Sequence, residues 1–116
     1  MADSFNATVR VMFDGLPAIA ASLRPRAGLA VRKAALDIEA HAKAAAPVDT
    51  GTLRNSIQAS QVREFNWQVV VGAEYGIYVE YGTRHMAAQP YLIPAVQRVE
   101  PGYLAAMARL VDMSAA

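Results

Sequence analysis

The residues able to do chemistry are few. The chain has two histidines, His41 and His85, and no cysteine, which excludes disulfides, thiolate metal sites and cysteine nucleophiles. His41 follows Asp37 by four positions, one turn of a helix. That spacing suits an acid–base pair, or two ligands of a zinc site that needs three or four converging groups. A solvated helix face is the simpler reading. His85 stands in the stretch Gly82-Thr83-Arg84-His85-Met86, where it could face a phosphate or a carboxylate, or be an ordinary loop residue. Ser56 has no G-x-S-x-G surroundings, so no nucleophile elbow is indicated. Asp49, Glu74 and Glu80 could pair as glycosidase carboxylates, but nothing in their spacing requires it. Gly72, Gly76 and Gly82 form no phosphate cradle, and Gly51 follows a helical stretch, the wrong order for a P-loop. The expectation is no catalysis, no cofactor and no metal.

Aromatic and basic residues say more. Tyr75, Tyr78 and Tyr81 recur every third residue, and Trp67 lies shortly before them. They read either as a small aromatic core beneath a hairpin or as an interface, where aromatics and arginine serve as anchors. Arg84 sits beside them. Arg54, Arg63, Arg84 and Arg98 could line a channel, yet a net charge of +1 favours scattered solubilising charge over general nucleic-acid binding.

The elements that must carry these residues follow from periodicity. Residues 4–13 alternate, with Phe5, Ala7, Val9, Val11 and Phe13 on one side, the period of a half-buried strand. Leu16 to Leu23 reads as a short helical turn. Pro25 marks a boundary, and residues 26–46 predict a long alanine-rich helix. Its apolar stripe is Val31, Ala34, Ala35, Ile38, Ala42 and Ala45, with Glu39 and Lys43 paired one turn apart. Pro47 ends it. Residues 46–51 are a loop in which Asp49 or Thr50 caps a short turn, 52–56. Residues 57–64 and 67–72 predict an antiparallel hairpin turning at Phe65-Asn66. Residues 74–81 predict a short helix with its tyrosines on one side. Residues 90–99 predict a helix with Pro90 near its first position. Pro101 is expected to kink or break it before it resumes over 103–113.

At 116 residues the chain is long enough for one domain, 1–116, with its own core. Hydrophobic residues make up 54% and charged residues 18%, which excludes a disordered chain and leaves apolar surface to spare for burial against another chain. The N-terminus has no secretory pattern, and the apolar runs fall short of the ~20 residues a membrane span needs. The fold class expected is α+β: a long helix packed on a small antiparallel sheet, formed by the N-terminal strand and the hairpin, with a C-terminal helix.

Three linked stretches carry a further signal. The first is Ala46-Pro47-Val48-Asp49-Thr50-Gly51 followed by Leu53, Arg54, Ser56 and Ile57. The second is Tyr75, Tyr78, Val79, Glu80, Tyr81, Gly82 and Thr83. The third is Met86, Ala88, Gln89, Pro90, Tyr91, Leu92, Pro94 and Ala95. In this order the chain resembles the small tail-component proteins of tailed bacteriophages and prophages, the neck or tail-completion family, over roughly residues 8 to 113. The departure is Pro101-Gly102, where the family usually continues one helix.

The resemblance implies a virion structural protein made in the bacterial cytoplasm and assembled at the head–tail junction. It implies a homo-oligomeric ring between connector and tail-tube proteins, with hexamer favoured because the tube has that symmetry. Genome DNA would pass through the lumen without specific binding, and no membrane is involved. The alternatives are a tail terminator ring capping the tube and, from another class, a small phage-borne hydrolase. Interface residues expected in such a ring are Trp67, Tyr75, Tyr78, Glu80, Tyr81, Arg84, His85 and Met86. Pro47, Asp49, Thr50, Gly51 and Arg54 form the motif loop. Glu80 and Arg84, one turn apart, are expected to pair within or between subunits. The hairpin offers a second patch, or a strand that extends a neighbour's sheet.

Overall fold

The computed structural model of the chain describes residues 9–13, 21–47 and 51–115. In chain order the elements are strand β1 (Val9–Phe13), a 3-10 turn (Ala21–Leu23), helix α1 (Arg24–Ala45), the short helix α2 (Thr52–Asn55), strands β2 (Ile57–Arg63) and β3 (Asn66–Val71), helix α3 (Gly76–Tyr81) and helix α4 (Ile93–Ala115). The three strands form one antiparallel sheet in the order β1-β3-β2. The expected α+β class, with the N-terminal strand joined to the hairpin, is what is found.

Alternation in β3 decides how the sheet is used. Val69 and Val71 are fully buried against α1, and Trp67 is half-buried on the same side. Ile57 pairs with Val71 and Ala59 with Val69, while Val9 and Val11 of β1 hold the matching register on the other side. The opposite face carries Gln58, Ser60 and Gln68, with Gln68 Nε2 donating to Ser60 Oγ at 3.4 Å. The hairpin turns at Glu64 and Phe65, one residue earlier than expected, because β2 takes in an irregularity between Gln61 and Arg63 that shifts the register. Arg24 stacks over the Phe65 ring at 5.4 Å and reaches Glu64 at 3.8 Å, tying the hairpin tip to the start of α1.

Helix α1 starts just before Pro25, where a missing N–H costs nothing. Its buried residues are Ala27, Val31, Ala34, Ala35, Ile38 and Ala42. Alanines let the helix lie close to both the sheet and α4 with little side-chain entropy lost. Lys33–Asp37 and Glu39–Lys43 are ion-paired along its outer side. Two apolar clusters result. One joins Ala35, Ile38, Ala42 and Ala46 to Leu53, Ile57, Val69, Val71, Tyr91 and Leu92. The other joins Ala27 and Val31 to Met107 and Leu110. Helix α4 therefore runs antiparallel to α1, its start beside the end of α1 and its last turns beside the start.

Two expectations about α4, its start at Pro90 and a break at Pro101, are corrected. It begins at Ile93 with Pro94 at the second position, so Pro90 lies outside it. It also runs unbroken through Pro101. Proline there removes the bond to the Gln97 carbonyl, but Pro101 and Gly102 are both exposed, so water can satisfy that oxygen. Packing on either side of the site outweighs the lost bond. The strand residues 4–8 and the turn residues 16–20 lie outside the described residues.

Candidate functional site

The three sequence motifs converge at the end of the molecule where α1 stops. Helix α1 ends at Ala45 with the Ala46 N–H donating to the Ala42 carbonyl. Arg54 closes this end from α2: its Nε donates to the Lys43 carbonyl at 3.1 Å. That carbonyl is one of the last four of the helix, which have no partner within it, and a guanidinium also suits the negative helix terminus. Gly51 precedes α2 with φ at 82°, a left-handed conformation that costs other residues a Cβ clash. Asp49 and Thr50, expected to cap this turn, lie outside the described residues. Ser56 Oγ donates to the Leu53 carbonyl at 2.8 Å.

Beneath these loops lies a buried polar knot. Glu80 is 2% exposed. Its Oε1 accepts the backbone N–H groups of Tyr91 at 3.0 Å and Leu92 at 2.8 Å, and its Oε2 accepts that of Ile93 at 3.0 Å. These are the free donors at the start of α4, and Pro94 brings none. A carboxylate there also meets the positive end of the helix. Tyr91, fully buried, donates its hydroxyl to the Gly76 carbonyl at 2.9 Å. Burial pushes the Tyr91 phenol well above its ordinary range, with the Glu80 and Tyr75 charges adding to the effect. Gly76 is needed for space, since a Cβ there would sit 2.7 Å from Val71 Cγ1 and 2.8 Å from Tyr91 Oη.

Glu80 is thus removed from the interface set. It faces inward, spends both oxygens on backbone amides, and does not pair with the exposed Arg84. Its role was legible in principle. Pro94 signals a helix start, but Leu92 at the cap position offers no side-chain acceptor, so a cap must come from elsewhere in the chain.

The tyrosines on α3 and just before it do the opposite. Tyr75, Tyr78 and Tyr81 are 43%, 55% and 61% exposed. Tyr75 and Tyr78, with Pro47, Gly51, Leu53, Val79 and Met86, line a concavity of about 220 Å³. Tyr81 is not part of its wall. Met86 is presented by a tight turn, in which the Thr83 and Met86 backbones bond each other and the His85 N–H donates to Thr83 Oγ1 at 3.1 Å. Arg84, His85 and Met86 are all exposed. Trp67 does not belong here. It lies at the far end of β3, packed between the two apolar clusters and bordering a separate hollow with Phe65 and Leu29. The idea of one aromatic core shared by Trp67 and the three tyrosines is therefore corrected: the buried tyrosine is Tyr91.

The remaining candidates are dispersed. His41 lies on α1 in a groove against α4 with Lys33, Asp37, Arg98 and Arg109, and Asp37 is taken by Lys33 at 2.7 Å. Among the described residues no three His, Asp or Glu side chains gather as metal ligands, and no helix is long and apolar enough to cross a membrane. Arg63 stands at the end of β2 beside the hairpin turn, away from Arg54 and Arg84. The four arginines do not form one stripe.

Residues 16–82 match the family model described as "Bacteriophage HK97-gp10, putative tail-component". The match takes in the first motif and the second as far as Gly82. Among curated proteins and among solved structures, none matches the chain. A match over more than half of the chain, taking in Glu80, Tyr75 and Tyr78, means that this chain belongs to the HK97-gp10-like family of phage tail components.

Proposed function

We propose that this chain is a ring component of the phage head–tail junction, a neck or tail-completion protein that joins the connector to the tail tube. Membership of a tail-component family makes it a structural protein of the virion that contacts other virion proteins. One observation carries the finer reading: the motifs converge to hold Tyr75, Tyr78 and Met86 exposed around a concave apolar surface. Exposed aromatics on a rigid base are interface anchors, and a single copy leaves them open to water. Pro47, Gly51 and Arg54 set the shape of this surface. Arg84 and His85, on the turn that presents Met86, extend it. The outer edge of β2 is unpaired among the described residues and offers a strand to an adjoining protein. A head-to-tail ring uses two unlike patches per subunit, and sixfold order matches a tail tube. DNA slides through the lumen without tight binding, and no turnover is required.

Electron microscopy of lysates from the parent phage with this gene deleted tests the proposal. Full heads beside separate tails are the expected result. Tails of abnormal length would point to a terminator instead, and normal infectious particles would overturn the assignment.

A further inference from the structure

The tyrosine surface needs an occupant, and the opposite end of the molecule has the chemistry to supply one. On α4, Leu104, Ala108 and Val111 recur at four- and three-residue spacing and lie exposed; Leu104 is 55% and Val111 39% exposed. They form a small apolar stripe turned away from α1, since the packed side of the helix is Tyr103, Met107 and Leu110. Asp112 flanks this stripe and is exposed, and the last turn of α4 holds no basic residue. Asp112 and the helix terminus make the stripe side of this end negative, while exposed Arg109, one turn earlier, lines the groove against α1 on the other flank. The tyrosine concavity is the complement: apolar walls, with exposed Arg84 and His85 on the turn that presents Met86. No ion pair to Arg84 or Asp112 is found among the described residues. Glu74, exposed beside Tyr75, repels an acidic partner on one side of the rim, so charge orients the docking helix toward Arg84.

The two surfaces cannot meet within one molecule. The concavity follows the end of α1, whereas the last turns of α4 pack beside its start. Helix α1, with 22 residues, separates them by roughly 30 Å. Contact between them is possible only from one copy to the next, and unlike patches repeated in this way build a ring or a filament. We propose that a second copy of this chain docks the Leu104–Val111 face of its α4 into the Tyr75–Tyr78–Met86 concavity, with Asp112 of that copy against Arg84. This rests on the ring reading and names the partner surface within it.

The absence of cysteine makes a clean test available. Met86→Cys and Val111→Cys are both at exposed positions, so the double variant should fold. Mild oxidation is expected to give a ladder of disulfide-linked oligomers from the double variant and at most dimers from either single variant. Independently, Arg84→Glu or Asp112→Arg should each weaken self-association in sedimentation velocity about tenfold, and the double charge exchange should recover most of the loss. Oligomers of the wild type without a ladder, and without an effect of the charge variants, would overturn this docking and leave the ring reading standing. A wild type that stays monomeric at every concentration, with no ladder from the double variant, would overturn both.

Discussion

The two ends of the helix pair are held in different ways. Where α1 stops, the chain is fastened by directed bonds: Glu80 to three backbone amides, Tyr91 to Gly76, Arg54 to Lys43. Where α1 starts, the buried contact with α4 is apolar, Ala27 and Val31 against Met107 and Leu110, and the polar contacts of Arg24 with Glu64 and Phe65 lie at the surface. Directed bonds are specific because a buried donor without its partner costs far more than a made bond returns. Apolar contacts are forgiving because volume matters more than geometry. The motif end therefore fixes one arrangement of the surface that carries the exposed tyrosines. The other end supplies burial.

The sharpest way to break this contrast is Glu80→Ala. It strands three amides at the start of α4 and should cost about 3–5 kcal/mol, read as a lower urea midpoint. A loss below about 1 kcal/mol would mean that water replaces the carboxylate and that the knot is not a fastening. At the other end Leu110→Ala should cost about 2–3 kcal/mol, the low part of the range for a buried leucine, because Leu110 is 7% exposed near the end of its helix. Leu110→Met should cost well under that if this end is as permissive as argued. Gly76→Ala forces a methyl against Val71 and Tyr91 and should cost about 1–3 kcal/mol.

Tyr91→Phe should cost about 1–2 kcal/mol, since the Gly76 carbonyl loses its partner. It also gives a pH signature. The folded protein holds the Tyr91 phenol above its ordinary 10.0, so the native state keeps a proton that the unfolded chain releases. Stability from this group is complete below pH 10 and falls as pH rises beyond it. Thermal melts of the wild type should show that alkaline decline, and it should be shallower in Tyr91→Phe. The smallest effect is expected from Tyr78→Ala, within about 0.5 kcal/mol, because the side chain is 55% exposed. A larger loss would show that the tyrosine face serves the fold of the single chain rather than a partner.

Much of the architecture could be read directly. The alternation in β3, the alanine stripe of α1 and the turn signals between strands are local patterns, and each gave its element within a residue or two. Residues far apart in the chain were harder. Pro101 looks like a break, but contacts from Ala95 to Leu110 on both sides of it hold α4 in one piece. Glu80 looks like a surface charge because acidic residues are almost never buried without partners, and its partners come eleven to thirteen positions later. Grouping Trp67 with the tyrosines followed closeness in sequence, whereas β3 carries Trp67 away from them.

What the amino-acid sequence determined by itself was the long helix, the hairpin, the α+β class and the family, because periodicity, turn residues and short motifs are properties of neighbours along the chain. What only the tertiary structure decided was the use of each motif residue. Glu80 and Tyr91 turn inward because the start of α4 has unpaired amides and Gly76 leaves room for a ring. Tyr75, Tyr78 and Met86 stay outside because that same knot holds α3 with its tyrosines facing solvent. Burial depends on which elements come together across the fold, and that information is not contained in any one stretch of the chain.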